Sequence, residues 1–391
     1  MRTRICDTFG IEFPIFAFSH CRDVVAAVSR AGGLGVLGAL AFTPEQLEVE
    51  LSWVDEHVDG KPYGVDVVMP ASYIAADLSK LEEMIPQEHR EFVDEVLERY
   101  NVPEMPPDEP RPSGLLAWTH EKAKQQVEIA LSHPIRLIAN ALGTPPKDVL
   151  DRAHGKGVLV AALIGNVHQA RAQVEAGTDI VVAQGHEAGG HTGEIATMVL
   201  VPEVVDAVHP TPVLAAGGIG SGRQMAAALA LGADGVWTGS IWLTVREADT
   251  NPVVLDKLLK ADSRSTVRSR SWTGKPARLL RTAWTDAWDS PDSPGALSMP
   301  LQFLLTAEAQ HRMHRYAHVE GSGAKELVGS PVGQIVGRMT SVRSVRDLIY
   351  DMVSECAETL ERLWGSLPGA APASGDSGGK PSAAPGRRKQ R

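Results

Sequence analysis

Short apolar runs recur along the N-terminal two thirds of the chain, each separated from the next by a segment with helical spacing. We place these runs at 13–18, 34–39, 63–69, 135–140, 158–164, 180–184, 213–216 and 235–238. Runs of this length, bounded by turn residues, are typical of buried parallel strands. Eight strands that alternate with helices are the number that a closed (β/α)8 TIM barrel requires, so we predict this α/β fold. A doubly wound open sheet is the alternative, but no Gly-x-Gly-x-x-Gly follows the first run.

The sixth run leads into a loop that is rich in glycine and histidine. Residues 180–193 read IVVAQGHEAGGHTG. Residues that follow a buried strand of an α/β protein lie where ligands bind, and glycine lets the backbone approach a ligand closely. His186, Glu187 and His191 add titratable groups to the same loop. We therefore predict a functional site here, although each histidine taken alone is equally compatible with a solvated loop residue.

Two later strands each end in small residues. The seventh run is followed by Gly217-Gly218-Ile219-Gly220-Ser221, and the eighth by Gly239-Ser240. The loops after strands seven and eight form the phosphate site of many TIM barrels. Backbone N–H groups at a helix N-terminus favour a phosphate dianion there. The two glycine-rich strand ends together predict a phosphorylated ligand.

Composition narrows the class of partner. The 391-residue chain has a formal net charge of −10, which argues against nucleic acid. Its three cysteines, Cys6, Cys21 and Cys356, show neither metal-ligand nor disulfide spacing. No run approaches the ~20 apolar residues of a membrane span, and the N-terminal residues lack the apolar core of a signal peptide. We expect a cytoplasmic protein without a metal site, a membrane anchor or a nucleic-acid partner, and its oligomeric state stays open.

The regular alternation is interrupted once and stops well before the C-terminus. Residues 70–134 hold acidic helical patterns and a proline-rich stretch, which predict an inserted lid or subdomain, or else a surface decoration. Residues 1–250 would then form the barrel, and 251–368 a helical extension packed on it. Tryptophan and arginine are interleaved within 264–289, a pattern that can stack on nucleic acid but is opposed here by the net charge. Residues 369–391 are rich in Gly, Ala, Pro and Ser with a basic end, so we predict a disordered tail.

Three motifs together resemble those of the nitronate monooxygenase family, formerly called 2-nitropropane dioxygenases. They are QGHEAGGH at 184–191, AAGGI at 215–219 and AGGLG at 31–35. The Glu-Ala-Gly-Gly-His run is the most specific of them, and the similarity covers most of residues 1–350 apart from the insertion. Within the family, the chain is most similar to actinobacterial members with a long insertion after the third strand.

The resemblance implies a barrel that holds FMN non-covalently, with His191 at the position of the family's catalytic histidine. The cofactor-binding positions that it implies are Asp66, Gln184, Gly189, Gly217, Gly218, Trp237, Thr238, Gly239 and Ser240. The chain departs from the family pattern at two places. Asp66 replaces the usual Asn, and an ionised Asp accepts hydrogen bonds but does not donate them. The usual start Pro-Ile-x-x-Ala-Pro-Met ends here in Phe18-Ser19-His20, so His20 joins His186 as a candidate on the substrate rim.

Three functions are compatible with these residues. The first is FMN-dependent oxidation of an alkyl nitronate by O2 to a carbonyl compound and nitrite. In it His191, expected to titrate near neutral pH, binds the nitro oxygens or removes the α-proton of a neutral nitroalkane. The second is NAD(P)H-dependent FMN reduction of a quinone or an enoyl thioester, and the third is a barrel that binds a phosphorylated metabolite without redox chemistry. We expect Glu187 to hold the loop rather than to take part in the chemistry.

Overall fold

The computed structural model of the protein describes residues 2–69, 78–109, 120–141 and 143–367. The strands within these ranges are β1 (Ile15–Ser19), β2 (Leu34–Gly38), β3 (Tyr63–Asp66), β4 (Leu137–Asn140), β5 (Leu159–Ile164), β6 (Ile180–Gln184), β7 (Gly190–His191), β8 (Val213–Ala216), β9 (Gly235–Thr238), β10 (Thr266–Ser269) and β11 (Ala277–Leu280). Eight of them pair in parallel in the order β1-β2-β3-β4-β5-β6-β8-β9, and β9 pairs with β1 to close the barrel. The predicted TIM barrel is therefore confirmed.

Helices surround the barrel and build the C-terminal part of the chain. Those in the described ranges are α1 (Arg4–Phe9), α2 (Arg22–Arg30), α3 (Pro44–His57), α4 (Leu78–Glu83), α5 (Gln87–Arg99), α6 (His120–Ser132), α7 (Lys147–Gly155), α8 (Val167–Ala176), α9 (Thr197–Val208), α10 (Gly222–Ala230), α11 (Pro252–Lys260), α12 (Ala283–Trp288), α13 (Leu301–Tyr316), α14 (Ala324–Leu327) and α15 (Val345–Gly365). Short 3-10 helices lie at Ala39–Ala41, Ser240–Thr244 and Gln334–Arg338. Among the helices so described, none has the length and apolarity that crossing a membrane demands.

The barrel interior is filled by alternate residues of its strands, as the two-residue period of a strand requires. Phe16 of β1 and Trp237 of β9 are stacked there with ring centroids 6.3 Å apart. Helix α1 closes the bottom of the barrel, where Phe9 meets Phe16 edge to face at 5.4 Å. The amino-terminal end is therefore packed with apolar side chains, which leaves the carboxyl ends of the strands as the open face.

The sequence-based strand positions agree with the structure, apart from their edges. The sixth, seventh and eighth runs are the strands β6, β8 and β9 with the predicted bounds. The first and third strands were placed too widely, since β1 covers 15–19 and β3 covers 63–66. The sheet formed by β7, β11 and β10 was not predicted. A two-residue strand such as β7 has no apolar period of its own and exists only because β11 pairs with it.

Part of the predicted insertion belongs to the layer of helices around the barrel. Helix α6 packs against α3, and its Val127 and Ala130 lie in the same buried core as Val54 of α3. It therefore occupies the place of the crossover helix between β3 and β4. The division into barrel and insertion stays a prediction, and residues 70–77 and 110–119 lie outside the described residues, as does the predicted tail, 369–391.

The segment 78–109 is joined to the C-terminal extension. Helices α4 and α5 pack against α13, and Phe92 of α5 meets Trp288 of α12 edge to face at 4.9 Å. Arg312 of α13 donates hydrogen bonds to the carbonyl oxygens of Val102 and Pro103 at 2.9 and 2.8 Å. Helices α13 and α15 lie within the helical extension predicted over 251–368. Trp284 and Trp288 are buried in the hydrophobic core.

Candidate active site

The predicted cofactor residues meet at the carboxyl ends of the barrel strands. Asp66 ends β3, Gln184 ends β6, and the paired glycine loops follow β8 and β9. Neighbours in register in a parallel sheet project to the same face. Asp66 is in register with Ala139, and Gln184 with Ala216, both of which lie in the cluster that fills the barrel interior. Both side chains therefore project into the mouth of the barrel.

Trp237 and Thr238 project to opposite faces of β9. Trp237 lies in the interior cluster, whereas Thr238 is in register with Ala17, which lies in the core outside the barrel wall. The Thr238 hydroxyl donates to the carbonyl oxygen of Phe16 at 3.0 Å and accepts from Nε1 of Trp242 at 3.1 Å. Those bonds use the Thr238 side chain to hold the strand, so only its backbone is left for a ligand.

The glycine loops have the shape of a phosphate cradle. Gly217 and Gly218 adopt left-handed φ values of 103° and 70°, which only glycine tolerates readily. A Cβ at Gly217 would lie 2.8 Å from the Thr197 hydroxyl, whereas one at Gly239 would meet nothing within 4 Å. Ser240 follows Gly239 and begins a 3-10 helix. Open space beside exposed backbone N–H groups fits a phosphate.

Helix α10 does not supply the anion-binding N-terminus that the sequence suggested. Glu355 of α15 occupies it, because its Oε2 accepts hydrogen bonds from the backbone N–H groups of Gly222 at 2.7 Å and Arg223 at 3.4 Å. The same carboxylate pairs with the Arg223 guanidinium at 2.8 Å. A phosphate must therefore rely on the strand-end glycines and Ser240 instead. The Ser240 hydroxyl accepts a hydrogen bond from the N–H of Gly333, another residue of the extension, at 2.8 Å.

His191 is held over this mouth by the C-terminal extension. Its two-residue strand, β7, pairs antiparallel with β11, so that His191 lies in register with Ala277. Its Nε2 is 2.8 Å from the hydroxyl of Thr273. Burial, with a smaller effect from the Lys275 ammonium, lowers the pKa of His191 to about 4. The expectation that this histidine titrates near neutral pH is therefore wrong, because a buried imidazole loses the hydration that stabilises its charged form.

Glu187 has the loop-holding contacts expected of it. Its carboxylate accepts hydrogen bonds from the backbone N–H of Thr197 at 2.9 Å and from the Thr197 hydroxyl at 2.8 Å. His186 donates its backbone N–H to the carbonyl oxygen of Ile195 at 2.8 Å, and its Nδ1 lies 3.6 Å from Glu187. A Cβ at Gly189 would lie 2.8 Å from the backbone of Val332 and Gly333. These contacts close the loop on itself and press it against the extension.

Two arginines of the extension hold the same loop, and sequence reasoning gave them no role in the site. Arg278 of β11 is 5% exposed and donates to the carbonyl oxygen of His186 at 3.0 Å. Arg268, its partner in register on β10, donates to the carbonyl oxygen of Thr192 at 3.2 Å. The interleaved arginines and tryptophans within 264–289 could have indicated that this segment contributes to the site. The pattern alone does not say which carbonyl oxygens the arginines bind.

His20 and Asp66 lie side by side at the opposite edge of the mouth. The Nδ1–H of His20 donates to the carbonyl oxygen of Gly38 at 2.9 Å, and the ring lies against the position that a Gly38 Cβ would occupy. Gly38 is the register partner of Asp66. Burial raises the pKa of Asp66 to about 7. A protonated carboxyl can donate a hydrogen bond, so the fraction of Asp66 that keeps its proton near neutral pH is not limited to accepting.

The structure thus brings Asp66, Gln184, Trp237, the glycine loops and His20 to one face of the barrel. His191 joins them through the sheet of the extension. No cluster of His, Cys, Asp and Glu side chains suited to a metal ion occurs in the described part of the chain. The arrangement combines a phosphate cradle, a buried carboxyl and a neutral imidazole.

A sequence profile of the family described as nitronate monooxygenase matches residues 2–355. The chain belongs to the nitronate monooxygenase family. It is therefore an enzyme, and the oxidoreductases of this family use a flavin and act on a small-molecule substrate, with O2 as a further partner. The open cradle at Gly239 and the left-handed Gly217 and Gly218 fit a phosphate-bearing cofactor of that kind.

Three similar proteins match the chain over nearly its whole length. "Putative monooxygenase Rv1533" of Mycobacterium tuberculosis is 58% identical over 372 residues, which cover 93% of this chain and 99% of that protein. The nitroalkane oxidase structure from Streptomyces ansochromogenes has a TM-score of 0.76 at 26% identity and covers 92% of this chain and 100% of its own. The FabK structure from Thermotoga maritima has a TM-score of 0.70 at 30% identity and covers 94% and 100%, respectively.

Proposed function

We propose that the protein is an FMN-dependent enzyme that oxidises alkyl nitronates with O2 to a carbonyl compound and nitrite. The observation that carries the proposal is the place of His191: it lies in the loop after barrel strand β6, where β11 and Thr273 hold it, and the neighbouring strand β8 leads into Gly217 and Gly218. When bound, FMN would take the electron from the substrate and supply the redox chemistry. Asp66, Gln184, Gly189, Gly217, Gly218, Trp237, Gly239 and Ser240 would hold it, together with the backbone of Thr238.

The low pKa of His191 favours the anionic nitronate over the neutral nitroalkane as substrate. A neutral imidazole donates one hydrogen bond and accepts another, so it can bind a nitro oxygen without carrying charge. An imidazole with a pKa of about 4 is a poor general base at neutral pH. The nitronate has already lost its α-proton and needs no base. His191 would therefore orient the substrate, while its buried surroundings exclude water.

Nitronate and nitroalkane turnover can be compared in one experiment on the purified protein. A yellow protein whose heat-released cofactor runs as FMN is expected, and preformed nitronate should be oxidised with O2 uptake and nitrite release. The nitroalkane should react far more slowly when it is added before it can ionise in solution. Release of FAD alone, or equal rates with both substrate forms, would contradict the proposal.

NAD(P)H-dependent reduction of an enoyl thioester or a quinone is the second candidate. The similarity to FabK at 30% identity favours it. Under anaerobic conditions, rapid bleaching of the flavin by NADH or NADPH, with no bleaching by a nitronate, would replace the first proposal with this one. The third hypothesis, a metabolite-binding barrel without redox chemistry, is set aside because the family consists of oxidoreductases.

A further inference from the structure

The ring of His191 is hydrogen-bonded to a side chain of the C-terminal extension rather than to one of the barrel. In the described part of the chain, the hydrogen bond recorded for this imidazole joins its Nε2 to the Thr273 hydroxyl at 2.8 Å. Thr273 lies in the turn between β10 and β11 and is 9% exposed. β11 also pairs with the backbone of β7, so the same hairpin holds both the strand and the ring of His191.

The turn that presents Thr273 is itself held rigidly. Gly274 has a left-handed φ of 81°, and a Cβ there would lie 2.2 Å from the carbonyl oxygen of Leu297. Two fully buried side chains of α13 donate to carbonyl oxygens of the turn, Gln302 to Ser271 at 3.0 Å and Thr306 to Trp272 at 2.8 Å. A turn fastened on both sides can hold an imidazole in one orientation.

The hydrogens around Thr273 can be assigned from the groups that it touches. A hydroxyl donates once and accepts up to twice. The Thr273 oxygen accepts from the N–H of Lys275 and lies within reach of the Lys275 carbonyl oxygen, which can only accept, both at 3.4 Å. A hydroxyl donates best at about 2.5–3.0 Å, so its proton goes to Nε2 of His191 at 2.8 Å rather than to the Lys275 carbonyl at 3.4 Å. In this arrangement the Nδ1 of His191 carries the ring hydrogen.

We propose that Thr273 is a positioning residue that fixes the Nδ1–H tautomer of His191 and leaves Nδ1 as the nitrogen that meets the substrate. The proposal rests on the role proposed for His191. Nδ1–H then donates a hydrogen bond to a nitronate oxygen, which can only accept. Without Thr273, the imidazole is free to exchange tautomers and to rotate.

The direct test is the tautomer of His191, measured by nitrogen NMR on full-length protein with its cofactor and 15N-labelled histidine. Protonated and unprotonated ring nitrogens resonate separately, and the His191 signals are identified by their loss in His191→Asn. Wild type should show a protonated Nδ1 and an unprotonated Nε2. Thr273→Val, which keeps the shape and removes the hydroxyl, should show averaged signals, and Thr273→Ser should restore the wild-type pattern.

A matched control separates the loss of this hydroxyl from the loss of any threonine hydroxyl. Thr359 of α15 donates to the carbonyl oxygen of Glu355 at 2.7 Å, and Thr359→Val should leave the His191 signals unchanged. An unchanged His191 spectrum in Thr273→Val, or a wild-type ring protonated at Nε2, would overturn the proposal. The spectrum does not depend on turnover, so a failure of the nitronate assignment would leave this result standing.

Kinetics give a second readout that a purely structural role would not move. Loss of one positioning hydrogen bond in Thr273→Val should lower kcat for the nitronate by about 2- to 10-fold, with KM nearly unchanged and Thr273→Ser close to wild type. Lys275→Gln should keep the tautomer but raise the pKa of His191, since it removes a neighbouring positive charge. A uniform loss of folded protein in all three variants, with normal kcat per folded molecule, would assign the turn a structural role only.

Discussion

The barrel and the C-terminal extension contribute to the site in different ways. The barrel supplies its floor: Asp66, Gln184 and the glycine loops project from strands whose order any closed barrel would have. The loop that carries His186 and His191 is the roof of the site, and the extension contacts it: Thr273 touches His191, and Arg278 binds the backbone carbonyl of His186. Gly333 of the extension also reaches Ser240 in the floor. Under the proposed function, this difference means that cofactor binding would depend mainly on the barrel and substrate orientation mainly on the extension. They can therefore be impaired independently.

The largest effect is expected in the floor, from Gly218→Asp. The φ of 70° disfavours any side chain, a Cβ would lie 3.3 Å from that of Glu187, and the new carboxylate would repel a phosphate. The purified variant should be colourless. Gly60→Asp is the matched control, because Gly60 also has a left-handed φ of 67° but lies in open space. A yellow Gly218→Asp variant would mean that the phosphate binds elsewhere.

The roof is tested by His191→Asn, which should retain FMN because the cradle is part of the barrel. With a neutral nitroalkane, turnover is already slow because this imidazole is a poor base, so its loss should cost less than about 10-fold in rate. With a preformed nitronate, which needs no base, the loss should stay below about 10-fold, comparable to one hydrogen bond. Stopped-flow measurement of both substrate forms checks this. A colourless variant would show that roof and floor cannot be separated.

The next effect concerns the free energy of unfolding, which can be compared between substitutions at two neighbouring arginines of the extension, Arg278 and Arg281. Arg278→Gln removes donors to the buried carbonyl of His186 and to the Thr266 hydroxyl, which should lower the free energy of unfolding by about 1–3 kcal/mol. Arg281→Gln breaks an exposed pair with Asp286 and should leave the free energy of unfolding nearly unchanged, because solvent screens such a pair. Denaturant unfolding compares the two. Equal losses would argue against a structural role for the Arg278 contacts.

The substitution Asp66→Asn, in the floor of the site, tests how the stability of the protein depends on pH. Burial raises the pKa of Asp66 from 3.8 to about 7. Between pH 3.8 and about 7, the Asp66 carboxyl holds a proton in the folded state that it has lost in the unfolded state. The free energy of unfolding of the wild type therefore falls as the pH rises through this range, and it stays low above it. Asn cannot ionise. The variant should therefore gain melting temperature over wild type at pH 8 and much less at pH 4, and an equal gain at both would refute the assignment.

The smallest effect is expected from removing residues 369–391. Their composition cannot bury a core. Truncation should leave the melting temperature and the flavin spectrum unchanged. A lower melting temperature would mean that this segment docks on the described part of the protein and that the extension is larger than proposed.

Sequence reasoning succeeded where one local rule determines the outcome. The strands β6, β8 and β9 were predicted with their observed bounds, because an apolar run bounded by turn residues has few other solutions. The glycines after β8 and β9 signalled the cradle. In each case the information lies within about ten consecutive residues.

It failed where the cause lies far away in the chain. The pKa of His191 depends on burial under a hairpin some 80 residues downstream, and the pKa of Asp66 on its enclosure among strands from other parts of the sequence. The N-terminus of α10 was expected to bind phosphate, but Glu355 reaches it across 133 positions. No periodicity or motif encodes such pairings.

The sequence by itself determined the barrel and indicated the glycine-rich strand ends and the candidate histidine. It could do so because strand period, turn chemistry and glycine φ preferences are properties of short segments. Only the tertiary structure decided which residues surround that histidine and Asp66, and hence the direction in which their pKa values shift. Desolvation and hydrogen bonding act through space, so they depend on which distant residues the folded chain brings into contact.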